Sequence, residues 1–274
     1  MAPALDRVEV EVEITAEVTT PGRIALCLAV AGHLGAQDAL VATGPAGVVP
    51  VTPVALSHGT RVHLVDVPLG RLHVRYSGVV GRGGPGAALS PEVTDADRLT
   101  FVLPSRYCPS DRLAGWAERE FGSRADDRVR ALRAAEWVHE RTEYVPGSTG
   151  PGDDALVPLL TGRGVCRDYA HLLVAVLRAL EIPARYVSVY APGLSPMDSH
   201  AVAEVAVDDA WWVLDATRLA PRRSMVRAGT GRDACDAALM TTLGAQTDLP
   251  SVRVLALAQP DLPDEDPGEW VALR

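Results

Sequence analysis

The segment GRGVCRDYAHLLVAVLRALEIPARY, residues 162–186, places a cysteine at the first turn of an apolar helical pattern. Cys166 follows Gly164, and the leucine and valine stripe behind it ends at Pro183. A helix N-terminus supplies free N–H groups and the positive end of the helix dipole, and both stabilise a thiolate. The position therefore favours a nucleophilic cysteine over the alternative, a buried structural thiol.

A nucleophilic thiol needs a base, and two histidines follow it along the chain. His171 lies five residues further along the same helix, so its side chain points about 140° away around the axis. We therefore predict that His171 is a packed, supporting residue. His200 opens a strand after a loop and can present its ring to the helix start. Asp215 lies on the returning strand and is predicted to orient His200 by a diagonal contact or through a bulge.

The groups that would stabilise a developing oxyanion are less well defined by the sequence. The backbone N–H of Cys166 is the natural first donor. A second donor and the substrate cleft are predicted to come from four nearby residues. Gly164 is interpreted as leaving room for substrate beside the thiol. The four candidates are Tyr144, Ser148, Gly164 and Ser199.

Composition and motifs exclude several classes of function. The net charge of −9 argues against nucleic acid as a partner. The four cysteines, at positions 27, 108, 166 and 235, lack the paired spacing of a zinc site or a disulfide scaffold. No metal and no cofactor are predicted. Without a signal pattern or an apolar run of about 20 residues, the protein is expected to be cytoplasmic and not membrane-bound.

The pattern of elements predicts an α+β protein. Residues 8–18 alternate apolar and polar side chains, and five or six short strands without a helix fill the first hundred residues. A β-sandwich-like or open-barrel domain is therefore predicted for residues 1–103. Helical patterns, then a helix, a strand and a hairpin, predict an α+β catalytic domain over 104–259. The acidic, proline-rich tail 260–274 is expected to be poorly ordered in part.

Several segments occur in the order and spacing of a known family. Together they resemble the bacterial transglutaminase-like superfamily, in the version that has an N-terminal β domain. The resemblance implies a papain-like core in which Cys166 is the nucleophile, His200 the base and Asp215 the orienting acid. The small residues around His200 depart from the family pattern, as do Arg218 and Leu219 after the segment DAT that begins at Asp215, and both departures indicate an altered acyl pocket. The segments are LPSRYCPSD, GVCRDYAHL, IPARYVSVY, MDSHA, LDAT and GRDACDAALMTT.

This family chemistry predicts a thioester acyl-enzyme at Cys166, with several possible fates for the acyl group. The first hypothesis is release of a carrier-bound chain in natural-product biosynthesis, by Dieckmann-type cyclisation to a tetramate-like product or by amide formation. The alternatives are a peptidase or amidase, a glutamine–lysine crosslinking enzyme, and a non-catalytic binding protein. The substrate would be an acyl thioester or a peptide. An acyl or peptidyl carrier protein could dock on the arginine-rich segment 220–232, whose alternative reading is a solvated loop.

Overall fold

The computed structural model describes residues 7–81, 92–122 and 126–273. Within these ranges strands dominate the first part of the chain, and helices and strands alternate in the middle. The strands before the first helix are β1 (Arg7–Thr20), β2 (Gly22–Leu26), β3 (Gln37–Gly44), β4 (Gly47–Val49), β5 (Val51–Ala55), β6 (Arg61–Val67) and β7 (Gly70–Gly81). The middle contains α1 (Asp95–Phe101), α2 (Ala114–Phe121), α3 (Asp127–Arg141), β8 (Glu143–Tyr144), α4 (Leu156–Thr161), β9 (Arg163–Gly164), α5 (Cys166–Ala179), β10 (Ala184–Tyr190), β11 (His200–Val207), β12 (Ala210–Leu214) and β13 (Val226–Gly231). The last strands are β14 (Met240–Leu243) and β15 (Gln246–Gln259).

The first part of the chain forms a β-sandwich. Buried residues alternate with partly or fully exposed ones along β1, as the period of a half-buried strand requires. The described strands build two antiparallel sheets, with the orders β15-β1-β7-β3-β4 and β14-β2-β6-β5. Their inward side chains share one apolar core. The predicted fold class, a β-rich N-terminal part followed by an α+β region, is confirmed.

Two strands from late in the chain complete this sandwich. β15 pairs antiparallel with β1, from Gln259 opposite Arg7 to Gln246 opposite Thr20. β14 pairs with β2 in the second sheet. Both strands belong to the segment 104–259 that was predicted to be catalytic, whereas the structure places them in the sheets of residues 7–81. The division at residues 103 and 259 into independent domains stays a prediction.

One helix precedes the catalytic region and was not predicted. Thr94 caps α1, because its hydroxyl accepts from the Asp97 N–H at 3.1 Å while the Asp97 carboxylate accepts from the Thr94 N–H at 3.0 Å. This reciprocal capping box is a sequence-readable start signal. The expectation of no helix in the first hundred residues is therefore wrong.

The catalytic region packs helices on a four-stranded antiparallel sheet of order β12-β11-β10-β13. α5 lies across β11 and β10, and its apolar side chains join those of α2, α3 and the sheet in one core. Almost every residue of α5 is buried, so the helix and the thiol at its start are held rigidly. In the described part of the chain, no helix combines the length and the apolarity needed to cross a membrane.

Hydrogen bonds join the sandwich to this sheet. The Ala31 N–H donates to the Arg227 carbonyl at 2.8 Å, and the Thr230 N–H donates to the Thr60 hydroxyl at 3.0 Å. Both contacts lie on β13, the strand at the edge of the catalytic sheet. The sandwich therefore covers that edge, which removes a row of unpaired backbone groups.

A buried ion network lies at the same junction. The Glu204 carboxylate accepts from Arg185 at 2.7 Å and from Arg227 at 2.6 Å, and all three side chains are buried. Arg185 also stacks over Trp211, 3.8 Å from the ring centroid, and contacts His58 of the sandwich at 3.2 Å. Burial raises the pKa of Glu204, but the two guanidinium groups outweigh it and lower that pKa to about 2. The carboxylate is therefore charged at neutral pH.

Replacing Glu204 by glutamine is expected to lower the free energy of unfolding by about 3–5 kcal/mol, because two buried guanidinium groups lose their counter-charge. Urea denaturation monitored by circular dichroism measures the loss. Glu13→Gln removes a partly exposed carboxylate that lies 3.8 Å from Arg253, and its expected cost is below about 1 kcal/mol. Equal losses in the two variants would contradict the structural role of the network.

The tail packs against the edge of the catalytic sheet. The Val213 N–H of β12 donates to the Val271 carbonyl at 2.8 Å, and these residues form an antiparallel bridge. Trp270 packs edge-on against Trp212, with ring centroids 5.7 Å apart. Apolar contacts therefore anchor Trp270 and Val271 at the sheet edge, and the expectation that the tail is poorly ordered in part stays a prediction.

Candidate active site

Cys166 occupies the first helical position of α5, after Val165 in extended conformation. Its backbone N–H is one of the groups that a helix start leaves without an intrahelical acceptor. The thiol is partly exposed, and its sulfur lies 3.9 Å from the Ser199 carbonyl oxygen. The contact brings the helix start against the residue that precedes β11.

His200 and Asp215 meet beside this thiol. The His200 Nε2 lies 2.9 Å from the Asp215 Oδ2, and both side chains are buried. β11 and β12 pair with Ala203 opposite Leu214, so the contact is the diagonal one. The second Asp215 oxygen accepts from the Thr217 N–H at 2.9 Å and from the Thr217 hydroxyl at 2.7 Å. These bonds fix the carboxylate and leave the His200 Nδ1 for the cysteine side.

The buried pair shifts both pKa values. Burial lowers the pKa of His200, but the charge and hydrogen bond of Asp215, with a contribution from Cys166, raise it to about 10. Burial raises the pKa of Asp215, but His200 and the hydrogen bonds from Thr217 outweigh it and lower that pKa. At neutral pH the ring is therefore an imidazolium held between the Asp215 carboxylate and the Cys166 sulfur.

Tyr144 lies directly against Cys166. Its strand β8 runs parallel to β9, with Tyr144 opposite Gly164. Burial and the neighbouring Cys166 raise the pKa of Tyr144 to about 12. The phenol therefore stays protonated and can donate a hydrogen bond at the helix start.

The buried carboxylate of Asp168 holds the backbone that precedes α5. Asp168 accepts from the Val165 N–H at 2.8 Å and from the Thr149 hydroxyl, and Arg167 pairs with it at 3.1 Å. A Cβ on Gly164 would lie 2.7 Å from the Asp168 Cβ. The interpretation of Gly164 as room for substrate is therefore wrong, because its missing side chain makes room for Asp168.

The two serine candidates differ in their placement. Ser148 is exposed, and its N–H donates to the Val145 carbonyl within a turn, whereas the neighbouring Thr149 side chain contacts Asp168. Ser199 does lie at the thiol, through its carbonyl oxygen. Of the two, the structure brings Ser199 to Cys166, and Ser148 has no contact with it among the described residues.

His171 is a packing residue of the site. It is buried between the rings of Tyr107 and Tyr186, each about 5.1 Å away between centroids, and its Nε2 accepts from the Ala234 N–H at 3.1 Å. Burial lowers the pKa of His171 to about 4, so the ring is neutral. Tyr186 shares a small apolar cluster with Cys166. His171 therefore acts on the thiol through packing.

The arginine-rich segment 220–232 does not form a free basic patch. Two of its arginines are buried, and all four pair with carboxylates of this chain. A carrier protein would find their charges already neutralised. The pairs are Arg222 with Glu265, Arg223 with Glu269, Arg227 with Glu204, and Arg232 with Asp236.

Several residues that position the site were not predicted from the sequence. Thr217 and Asp168 carry ordinary capping signals, and only the fold shows that they hold Asp215 and the start of α5. Tyr186 has the spacing of a core strand residue. Among the described residues, no group of three His, Cys, Asp or Glu side chains is placed to hold a metal ion.

Comparisons with known proteins agree with this arrangement. The family model of the transglutaminase-like superfamily matches residues 115–216, a range that includes Cys166, His200 and Asp215. Over these residues the chain is therefore similar to the transglutaminase-like superfamily. The match begins in α2, so it covers the helical layer and the strands that carry the three side chains.

Two similar proteins extend the comparison. A crystal structure from Cytophaga hutchinsonii, described as that of a candidate cysteine protease, aligns with a TM-score of 0.85 and 28% identity over 96% of this chain and 94% of that chain. The uncharacterised protein ML0607 of Mycobacterium leprae (strain TN) is 32% identical over 154 residues. That match covers 52% of this chain and 54% of the relative, so the chain spans about half the length of this curated relative.

Proposed function

We propose that the protein is a cysteine peptidase or amidase that forms a thioester between Cys166 and the acyl part of its substrate. The observation that carries the proposal is the helix-start thiol beside a buried histidine whose Nε2 lies 2.9 Å from a carboxylate. The protein from Cytophaga hutchinsonii, described as a candidate cysteine protease, supports hydrolysis. Neither that protein nor the family match supports the cyclisation hypothesis.

In this arrangement acylation requires one proton transfer, from the His200 ring to the leaving amine. The Cys166 sulfur attacks the carbonyl carbon as a thiolate, paired with the His200 imidazolium. As the carbon–nitrogen bond breaks, the ring gives its proton to the departing amine. Asp215 holds the ring and stabilises its positive form.

Deacylation reverses the proton movement. The neutral ring takes a proton from water, and the water oxygen attacks the thioester carbon. The carbon–sulfur bond breaks, the acid leaves, and thiolate and imidazolium are restored. His200 thus serves as acid in the first half and base in the second.

Two donors are available for the oxyanion. The Cys166 N–H is free of intrahelical bonding, and Tyr144 lies opposite Gly164, two residues before Cys166. A substrate carbonyl oxygen bound between these two groups would accept a hydrogen bond from each. Tyr144 is therefore proposed as the second oxyanion donor, and Ser148 is not.

The substrate class is tested by intact-mass spectrometry with three acyl donors. These are a peptide amide, a simple acyl thioester and a β-ketoacyl-aminoacyl thioester. We expect the peptide amide to yield a free acid and a transient adduct on Cys166. A cyclised product from the β-ketoacyl donor, with the peptide untouched, would replace hydrolysis by biosynthetic release. Absence of adduct and product with all three would contradict catalysis.

A further inference from the structure

An exposed carboxylate, which forms no ion pair with the residues that the structure describes, lies close to Cys166. Asp198 lies two residues before His200, and its Oδ1 accepts from the Ser199 N–H at 2.7 Å and from the Ser199 hydroxyl at 3.4 Å. The Ser199 carbonyl in turn faces the Cys166 sulfur at 3.9 Å. The side chain is exposed, and its charge contributes to the raised pKa of Tyr144. Asp198 therefore lies close to both groups at which an acyl carbon would bind.

The arginines nearest in sequence to Gly164, Cys166 and Asp215 are already paired with carboxylates of the described chain. Arg163 lies 3.3 Å from Glu143, Arg167 lies 3.1 Å from Asp168, and Arg218 pairs with Glu136. The sequence contains no lysine that could supply another positive charge. Among the residues that the structure describes, Asp198 has an ion pair with none of these arginines. Its charge is therefore available to an incoming molecule.

We propose that Asp198 is a specificity-determining residue that selects substrates with a guanidinium or ammonium group next to the scissile acyl bond. A cationic group at this position gains attraction from the carboxylate, and an anionic group is repelled. The inference rests on the proposed function only in taking the cleft at Cys166 as the acyl-binding site.

The first test measures the electrostatics of the cleft without requiring turnover. Cys166 is modified with a cationic and an anionic methanethiosulfonate, and peptide mapping separates it from the exposed Cys235. We expect Asp198→Asn to lower the cation-to-anion ratio of rate constants at Cys166 by about fivefold at low salt, the scale of an exposed charge pair. An unchanged ratio would overturn the proposal.

A matched control separates the local charge from the net charge. Asp208 follows β11 at the end opposite His200, and Asp208→Asn removes the same charge about 25 Å away along the strand. This variant is expected to keep the wild-type ratio at Cys166. An equal fall in both variants would show that net charge alone sets the ratio, and would contradict a role for Asp198.

The second test uses matched fluorogenic amides with arginine, norleucine or glutamate next to the scissile bond. We expect Asp198→Asn to lower the arginine-to-glutamate ratio of kcat/KM by about fivefold. Preference for glutamate, or an unchanged ratio, would overturn the specificity. If no amide is hydrolysed while the thiol probes still distinguish the variants, hydrolysis fails as the function and the charge selection stands.

Discussion

Replacement of Cys166 by alanine is expected to reduce hydrolysis of a peptide amide by at least about a thousandfold, the scale of losing a nucleophile that acts with a base and an orienting acid. The sulfur is the atom that forms the thioester, and no other cysteine lies beside the His200–Asp215 pair. The measurement is product formation under kcat/KM conditions, together with intact mass after exposure to a peptide electrophile.

The remaining thiols have environments that disfavour nucleophilic attack. Burial raises the pKa of Cys27 to about 11 and that of Cys108 to about 12. Partial burial and then Asp233 raise the pKa of the exposed Cys235. Because the thiolate is the reactive form, each of these thiols is a weaker nucleophile at neutral pH than a cysteine with an ordinary pKa.

Cys235→Ala is the matched control for this prediction. Cys235 is accessible but belongs to a different loop, so its removal tests whether accessibility alone accounts for any adduct. This variant is expected to keep turnover and to retain one electrophile adduct, on Cys166. Retained turnover in Cys166→Ala, or lost turnover in Cys235→Ala, would contradict the assignment of the nucleophile.

The elements and site residues that could be predicted from the sequence are those whose contacts are made with segments nearby in the chain. The alternation over residues 8–18 predicts β1, and the apolar stripe after Cys166 predicts α5. The order of helix, strand and hairpin then brings His200 and Asp215 to one end of the catalytic sheet, because a tight turn fixes the register of β11 and β12. Both side chains could therefore be proposed from sequence.

The features that were missed depend on contacts between distant segments. β15 lies more than two hundred residues from β1, and no local pattern states which sheet it joins. Arg185 and Glu204 occupy outward positions of strands and predict solvent exposure, but the sandwich covers them. Gly164 has the sequence signature of an open turn, and only the position of Asp168 shows what its missing Cβ accommodates.

Replacement of Asp215 by asparagine is expected to reduce kcat/KM by about a thousandfold, because His200 loses the charge that stabilises its imidazolium and fixes its tautomer. The amide retains the size of the carboxylate, so the fold is preserved while the charge is removed. The His200 pKa should fall, since burial opposes the charged ring and Asp215 is the main group that offsets it. Thr217→Val keeps the charge and removes one hydrogen bond to Asp215, and it is expected to cost far less.

The same substitution should change how stability depends on pH. The folded-state pKa of His200 is about 10, above the ordinary value of 6.5, so the stabilisation is complete below pH 6.5 and is lost as the pH rises through 10. Asp215→Asn lacks most of this contribution. The difference in the free energy of unfolding between wild type and variant should therefore be largest near pH 6.5 and shrink by pH 10. Urea denaturation across this range measures it, and a constant difference would show that the pair is not coupled to folding as its geometry requires.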